Sequence, residues 1–303
     1  MPQAFPHPPA QRSTCSTPWE AHALLRFWHL ASLDAPTVAV VWTLAFAWAA
    51  RVRLPAWVPL LAALVVWVVY VADRLLDARG DLRAGIHGRL RERHLFHWRH
   101  RRLLAPLVAV AAVAAAWMVL WLVPAPVRQR DSLLAAAALV YLTRVHSPQT
   151  LLPGLSLPRI LARPIETLWR KELLAGLLFT AGCLLPAWSR ATAPISVLLA
   201  PGVVFALLAW LNCALIDRWE SVAAGGAAGS HAAVLLALVA LVTAIAAAGA
   251  MPRIAALLAT AALSALLLAL LDRSRSRLTP LALRAAADLV LLTPALLAPA
   301  LLR

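Results

Sequence analysis

The stretch "VVYVADRLLDARGDLR", residues 68–83, decides how the chain is read. It starts as the end of a long apolar run. Asp73, Asp77 and Asp81 then follow at four-residue steps, with arginines between them. On a helix each step drifts by only about 40°, so the three carboxylates share one face. Two readings stand. A carboxylate stripe suits Mg²⁺, which takes one or two carboxylates plus waters and phosphate oxygens. Equally, acids and arginines at a helix end stabilise its last turns as ion pairs, and Gly80 would end the helix before Asp81.

The context of that stretch is a membrane protein. Of 303 residues, 62% are hydrophobic and 14% charged, and mean hydropathy is +0.79. Soluble domains carry about a quarter charged residues. The apolar runs recur along the whole chain, which excludes a lone signal peptide. A span needs about 20 apolar residues to cross roughly 30 Å of hydrocarbon. Nine runs qualify or nearly so: Leu33–Ala50, Pro55–Ala72, Leu103–Val123, Ser132–Leu142, Leu173–Trp188, Ile195–Leu215, Ala232–Ala250, Ile254–Leu271 and Leu283–Leu302. In lipid these must be helices, because unpaired backbone groups find no water there. The expected fold is therefore all-α, a polytopic bundle of nine transmembrane helices. Residues 1–25, rich in proline and polar groups at their start, are expected as a disordered cytoplasmic tail, and residues 26–303 as one helical domain.

Net charge is +15, and Lys171 is the only lysine. In a membrane protein this points to orientation and anionic lipid rather than to nucleic acid. With the N-terminus inside, 21 basic residues fall on inside segments and 7 outside. The bias predicts N-inside and, for nine spans, C-outside. Cys15, Cys183 and Cys213 have no metal-like spacing and read as small hydrophobes.

Other polar groups gather at predicted inside ends. "WLNCALIDRWES", residues 210–221, brings Asn212, Asp217, Arg218 and Glu220 to the exit of the sixth run. Two acidic stretches at one end of a bundle could bind two Mg²⁺ across a diphosphate. "RLRERHLFHWRHRR", residues 89–102, carries His94, His97 and His100 among arginines, and reads as an interfacial helix for anionic headgroups or diphosphate. Tyr141 and Arg144 leave the fourth run, and Lys171 enters the fifth. They fit either phosphate oxygens or the positive-inside rule. Asp288 is an intramembrane carboxylate near Arg284, a functional candidate by its cost. Asp34 reads as a helix N-cap, with Pro36 in the first turn.

Taken together, "YVADRLLDARGD", "ALIDRWES", "SLDAPTVAVVW" and "YLTR" resemble the UbiA superfamily of intramembrane prenyltransferases. The first is similar to that family's aspartate-rich motif after helix 2, and the second to the one after helix 6. Val69 and Tyr70 stand where the family has Asn and Asp, and Glu220 where it has Asp. The resemblance implies Mg²⁺-dependent transfer of a polyprenyl group from its diphosphate to an aromatic or lipid acceptor in a bacterial cytoplasmic membrane. It implies metal ligands at Asp73, Asp77, Asp81, Asp217 and Glu220, and diphosphate contacts at Tyr141, Arg144, Lys171 and Arg74. Asn212, Arg218, Asp288, His94 and His97 are further polar candidates. A non-catalytic UbiA-like protein that binds or carries an isoprenoid lipid is the alternative, and a transporter a more distant one.

Overall fold

The computed structural model describes residues 18–83, 92–146, 171–192, 196–220 and 228–301. Every regular element among them is helical. We number the helices α1 (Pro18–Leu30), α2 (Asp34–Ala49), α3 (Trp57–Arg83), α4 (Glu92–Arg99), α5 (Arg101–Leu122), α6 (Ala125–His146), α7 (Lys171–Trp188), α8 (Ser196–Glu220), α9 (Ala228–Ala247), α10 (Pro252–Ser274), α11 (Pro280–Leu289) and α12 (Ala298–Leu301). A 3-10 segment, Val290–Leu297, joins α11 to α12.

Six segments are long and apolar enough to cross a membrane: Trp57–Gly80, Arg101–Leu122, Ser196–Glu220, Gly229–Ala247, Pro252–Arg277 and Pro280–Ala300. The end of α1 and α2, bent by 87°, make a seventh if counted as one span. Each of the nine apolar runs is mainly helical where it is described, but two fall short as spans. Glu172–Trp188 is apolar and short, and α6 carries Arg128, Arg130 and Asp131 in its first two turns. The chain is an integral membrane protein on this evidence.

Three local expectations differ from what is seen. Helix α3 runs through Gly80 to Arg83, because Gly80 is tolerated inside a long apolar helix that continues into α4 contacts. Helix α1 begins at Pro18, inside the stretch read as a tail, because proline suits a first helical turn and "WEAHALLRFWHL" follows it. The last run is not one α-helix. Pro294 lacks an N–H, and the chain passes through a 3-10 stretch around it.

Helix α2 sits at the centre, packed on α3, α7, α10, α11 and the 3-10 segment. Its small residues Ala35, Ala39, Ala45, Ala47 and Ala49 are buried and admit close neighbours. Helices α9 and α10 form the most extensive pair, and both bury alanines, among them Ala240, Ala244, Ala261 and Ala265. Between α7 and α8 the backbones nearly touch: a Cβ on Gly176 would stand 2.9 Å from the Trp210 nitrogen. The outer faces of α5 and α9 expose Val110, Val113, Trp121, Leu235, Val242 and Ile245. Such faces suit lipid.

The aromatic heart of the core is Trp42, stacked on Phe205 at 3.8 Å between ring centroids, with Phe46 at 5.6 Å from Trp42. Trp42 also donates its indole N–H to the Leu291 carbonyl, 2.8 Å away, a carbonyl whose 3-10 partner would be Pro294, which has no N–H. Trp42→Phe keeps most of the apolar contact and leaves that carbonyl unpaired. We expect it to cost about 1–3 kcal/mol. Trp42→Ala opens a cavity as well and should cost about 3–5 kcal/mol. Thermal unfolding of the purified variants in one detergent checks that order.

Candidate functional site

Both ends of α2 are fixed by residues in the left-handed region. At the first, the Leu33 N–H bonds the Trp28 carbonyl (3.0 Å) and the Ser32 N–H bonds the His29 carbonyl (3.1 Å). That is a Schellman ending of α1, with Ser32 at φ 55° in the place glycine usually takes. At the second, Arg51 (φ 57°) ends α2 the same way, through Arg51 N–H to Trp48 and Val52 N–H to Ala47. A serine at such a position carries backbone strain of roughly 1–3 kcal/mol, and residues of this kind gather at functional sites.

What Ser32 gains is a fully buried hydroxyl at a junction of four helices. Arg74 of α3 donates Nε–H to its Oγ at 2.8 Å. The Ser32 hydroxyl in turn faces His97 Nε2 of α4 at 3.3 Å, and His97 Nδ1–H donates to the Arg93 carbonyl at 2.8 Å. These bonds assign the neutral Nδ1–H tautomer to His97. The Arg74 guanidinium lies 5.6 Å over the Tyr70 ring. Further out, Arg26 of α1 pairs with Glu92 of α4.

One step inward lies a second cluster. His29 Nδ1 is 2.8 Å from Asp34 Oδ2 and 3.8 Å from Asp288 Oδ2. Asp34 Oδ1 accepts the Ala35 N–H at 2.9 Å, and Asp288 Oδ1 accepts Asn212 Nδ2–H at 3.2 Å. A cavity of about 40 Å³ adjoins them, lined by Tyr70, Phe179, Asn212, Cys213, Asp288 and Leu291 among others. Asp34 is not the N-cap expected of it: Leu33 holds that position with no side-chain cap bond, because Asp34 is already in the first turn, buried at 1% exposure and turned to His29. Asp288 bonds Asn212 rather than Arg284.

Arg284 pairs instead with Glu220. Both line a separate, larger cavity of about 260 Å³ with Trp219, Arg275, Ser276 and Leu283. Behind it the buried Asp272 accepts from Trp219 Nε1 (2.8 Å) and Arg275 (3.2 Å). Arg218 Nη1 and Asp272 Oδ2 lie 3.3 and 3.2 Å from where a Cβ on Gly229 would be.

These contacts place the C-terminal ends of α3, α8 and α10 with the starts of α2 and α11. Both acidic stretches therefore stand at one end of the bundle. At the other end, tryptophans meet arginines: Arg253 on Trp48, Arg190 on Trp57 and Arg130 on Trp188. Asp73 and Asp77 are half-buried on α3, and Asp217 is exposed on α8. Asp73 follows Tyr70 by three residues and Asp217 follows Cys213 by four, so each sits one turn beyond a residue of the small cavity. His94, buried on α4, has Nε2 4.0 Å from Asp77 Oδ2. Asp81, Tyr141, Arg144 and Lys171 have helical backbones, and their side chains lie outside the described residues.

Asp73, Asp77 and Asp217 offer the carboxylate oxygens that Mg²⁺ takes, but they do not form a close group of ligating side chains among the described residues. Glu220 fits less well, because Arg284 occupies one of its oxygens. Among the described residues, His29, Asp34 and Asp288 are the group of three ligating side chains whose atoms fall within 4.8 Å of one another. Sequence reasoning did not find His29, Ser32, Tyr70 or Asp272. The available signal was Asp34: a carboxylate entering an apolar run, five residues after a histidine. No protein-family model, curated protein or solved structure matches this chain.

Two measurements test the junction. Ser32→Ala keeps the strained φ and removes the acceptor for buried Arg74, while Ser32→Gly relieves the strain. Ser32→Ala should be the more destabilising of the two, by about 1 kcal/mol, read as melting temperature. Burial, with Arg74 and Arg93 nearby, pushes the His97 imidazole down to about 4 from its ordinary 6.5, partly opposed by its bond to the Arg93 carbonyl and by Asp34. The unfolded chain therefore binds the proton first, and docking of α4 is fully stable above about 6.5. As pH falls from 6.5 towards 4, hydrogen exchange in α4 should rise, and His97→Gln should flatten that dependence.

Proposed function

We propose that this chain is a UbiA-like intramembrane protein of nine spans, with the acid-bearing end cytoplasmic. There it binds a polyprenyl diphosphate and passes the prenyl group to a hydrophobic acceptor. The observation that carries this reading is the pairing of the two acidic stretches. Asp73 and Asp217 stand one turn beyond Tyr70 and Cys213, which line one cavity at that end. Mg²⁺ held by Asp73, Asp77 and Asp217 would neutralise the departing diphosphate.

The chain's own residues supply the rest. Arg74, held by Ser32 and lying over the ring of Tyr70, puts a fixed positive charge behind that wall of the cavity. Tyr141, Arg144 and Lys171 are the expected further diphosphate contacts. Val38, Phe179, Ala209 and Leu291 give the cavity apolar walls; at about 40 Å³ it is water-sized, so a prenyl chain would enter only if the helices around it part. Glycine at 176 lets α7 approach α8 and shapes the wall between them.

One observation favours the non-catalytic alternative, a UbiA-like protein that binds or carries an isoprenoid lipid. Glu220 is engaged by Arg284, so the second acidic stretch offers Asp217 as its available carboxylate. Titration of the purified protein with a prenyl thiodiphosphate, with and without Mg²⁺, tests both. Mg²⁺-dependent binding is expected, weakened roughly tenfold or more by Asp73→Ala or Asp217→Ala. Transfer from a labelled prenyl diphosphate to added acceptors separates catalysis from carriage. Binding that ignores Mg²⁺ and both substitutions would overturn the proposal.

A further inference from the structure

The cluster of His29, Asp34 and Asp288 is not used by the reading above, and it is costly. Two carboxyl groups from α2 and α11 stand with oxygens within 4.8 Å of each other in an apolar bundle. Two carboxylates that close cannot both stay ionised unless a positive charge sits between or beside them. Each is also oriented in the same manner. One oxygen is tied back, Asp34 Oδ1 by the Ala35 N–H and Asp288 Oδ1 by Asn212. The other oxygen of each turns towards His29 Nδ1. Tying back one oxygen of a ligating carboxylate is what the outer partners of a metal site do.

A separate observation points to a missing ligand. Asn212 is 4% exposed, and its Oδ1 has no partner among the described residues. Its amide is already fixed on Asp288 through Nδ2, so the unpartnered oxygen stands beside the same cluster. The adjoining cavity of about 40 Å³ has room for a water.

We infer that His29 Nδ1, Asp34 Oδ2 and Asp288 Oδ2 bind a first-row divalent cation of the Mn²⁺, Fe²⁺ or Zn²⁺ kind, with Asn212 Oδ1 or a cavity water as a further ligand. One imidazole with two carboxylates suits these ions, whereas Mg²⁺ prefers oxygen alone. Ligand atoms about 2.1 Å from such an ion stand roughly 3–3.5 Å apart. The 2.8 and 3.8 Å separations on His29 bracket that spacing. The ion is formally balanced by the two carboxylates and a neutral imidazole. Its ligands come from α1, α2 and α11, so it would hold the 87° bend closed and tie the first span to the last.

This site is distinct from the rim residues Asp73, Asp77 and Asp217, and its test separates the two. The purified full-length protein is stripped with chelator and titrated with Co²⁺ as the spectroscopic probe, with bound metal measured by elemental analysis. One equivalent of Co²⁺ with a visible d–d band is expected, together with a raised melting temperature. Asp288→Asn should abolish the band, and Asn212→Ala should weaken binding by roughly tenfold or more. The double variant Asp73→Ala/Asp217→Ala should retain it. Circular dichroism and gel filtration confirm that each variant is folded, and the wild-type stoichiometry stands even if Asp288→Asn is not. An empty wild-type protein overturns the inference, leaving a proton shared between the carboxyls. A band that survives in folded Asp288→Asn, or that disappears only with the rim acids, overturns it too.

Discussion

The arrangement at this end of the bundle depends on Ser32 holding a left-handed backbone in the middle of an apolar protein. That one conformation turns the chain by 87° between α1 and α2. It sets His29 against Asp34, brings both to Asp288, and offers a buried hydroxyl to Arg74 and His97. A helix that ran straight from α1 into α2 would carry His29 away from the cluster and leave Arg74 buried without its acceptor. The strain and the charges are compensated together: each is tolerable because the others are in place.

The two ends of the bundle are chemically different, and each difference has a simple physical origin. At one end carboxylates, arginines and histidines pair within a shared polar layer, as Glu220 with Arg284 and Asp77 with His94. At the other, arginines lie against tryptophan faces, as Arg253 against Trp48, which suits the boundary between hydrocarbon and water. Between them the described helices pack through alanine faces and an aromatic stack, with a small buried set of hydrogen bonds around the 3-10 segment.

Much of this was legible in the sequence. Apolar length alone located the nine helical runs, because in lipid the backbone has no alternative to the helix. The four-residue spacing of Asp73 and Asp77 placed them on one face, and the arginine bias put both acidic stretches at one end. What the sequence did not disclose were relations between distant segments. Asp288 was expected near Arg284 because they are four apart, yet Asn212, 76 positions earlier, holds it instead. Glu220, read beside Asp217 as a metal ligand, is claimed by Arg284 from another helix. His29 and Ser32 gave no periodic signal, since their roles arise only when α3, α4, α8 and α11 converge on the bend.

The 3-10 stretch Val290–Leu297 has a consequence for assembly. Its carbonyls are met by side chains of other helices: Leu291 by Trp42 of α2, and Val290 by Ser264 of α10. Thr293 reaches in turn to the Thr260 carbonyl and to Ser264. A segment that borrows its hydrogen bonds in this way is poorly suited to lipid by itself, where each unmet backbone group costs several kcal/mol. It enters the bilayer at little cost only once α2 and α10 are there to receive it. Entry of this segment is thus written into the backbone as a docking event rather than an independent insertion.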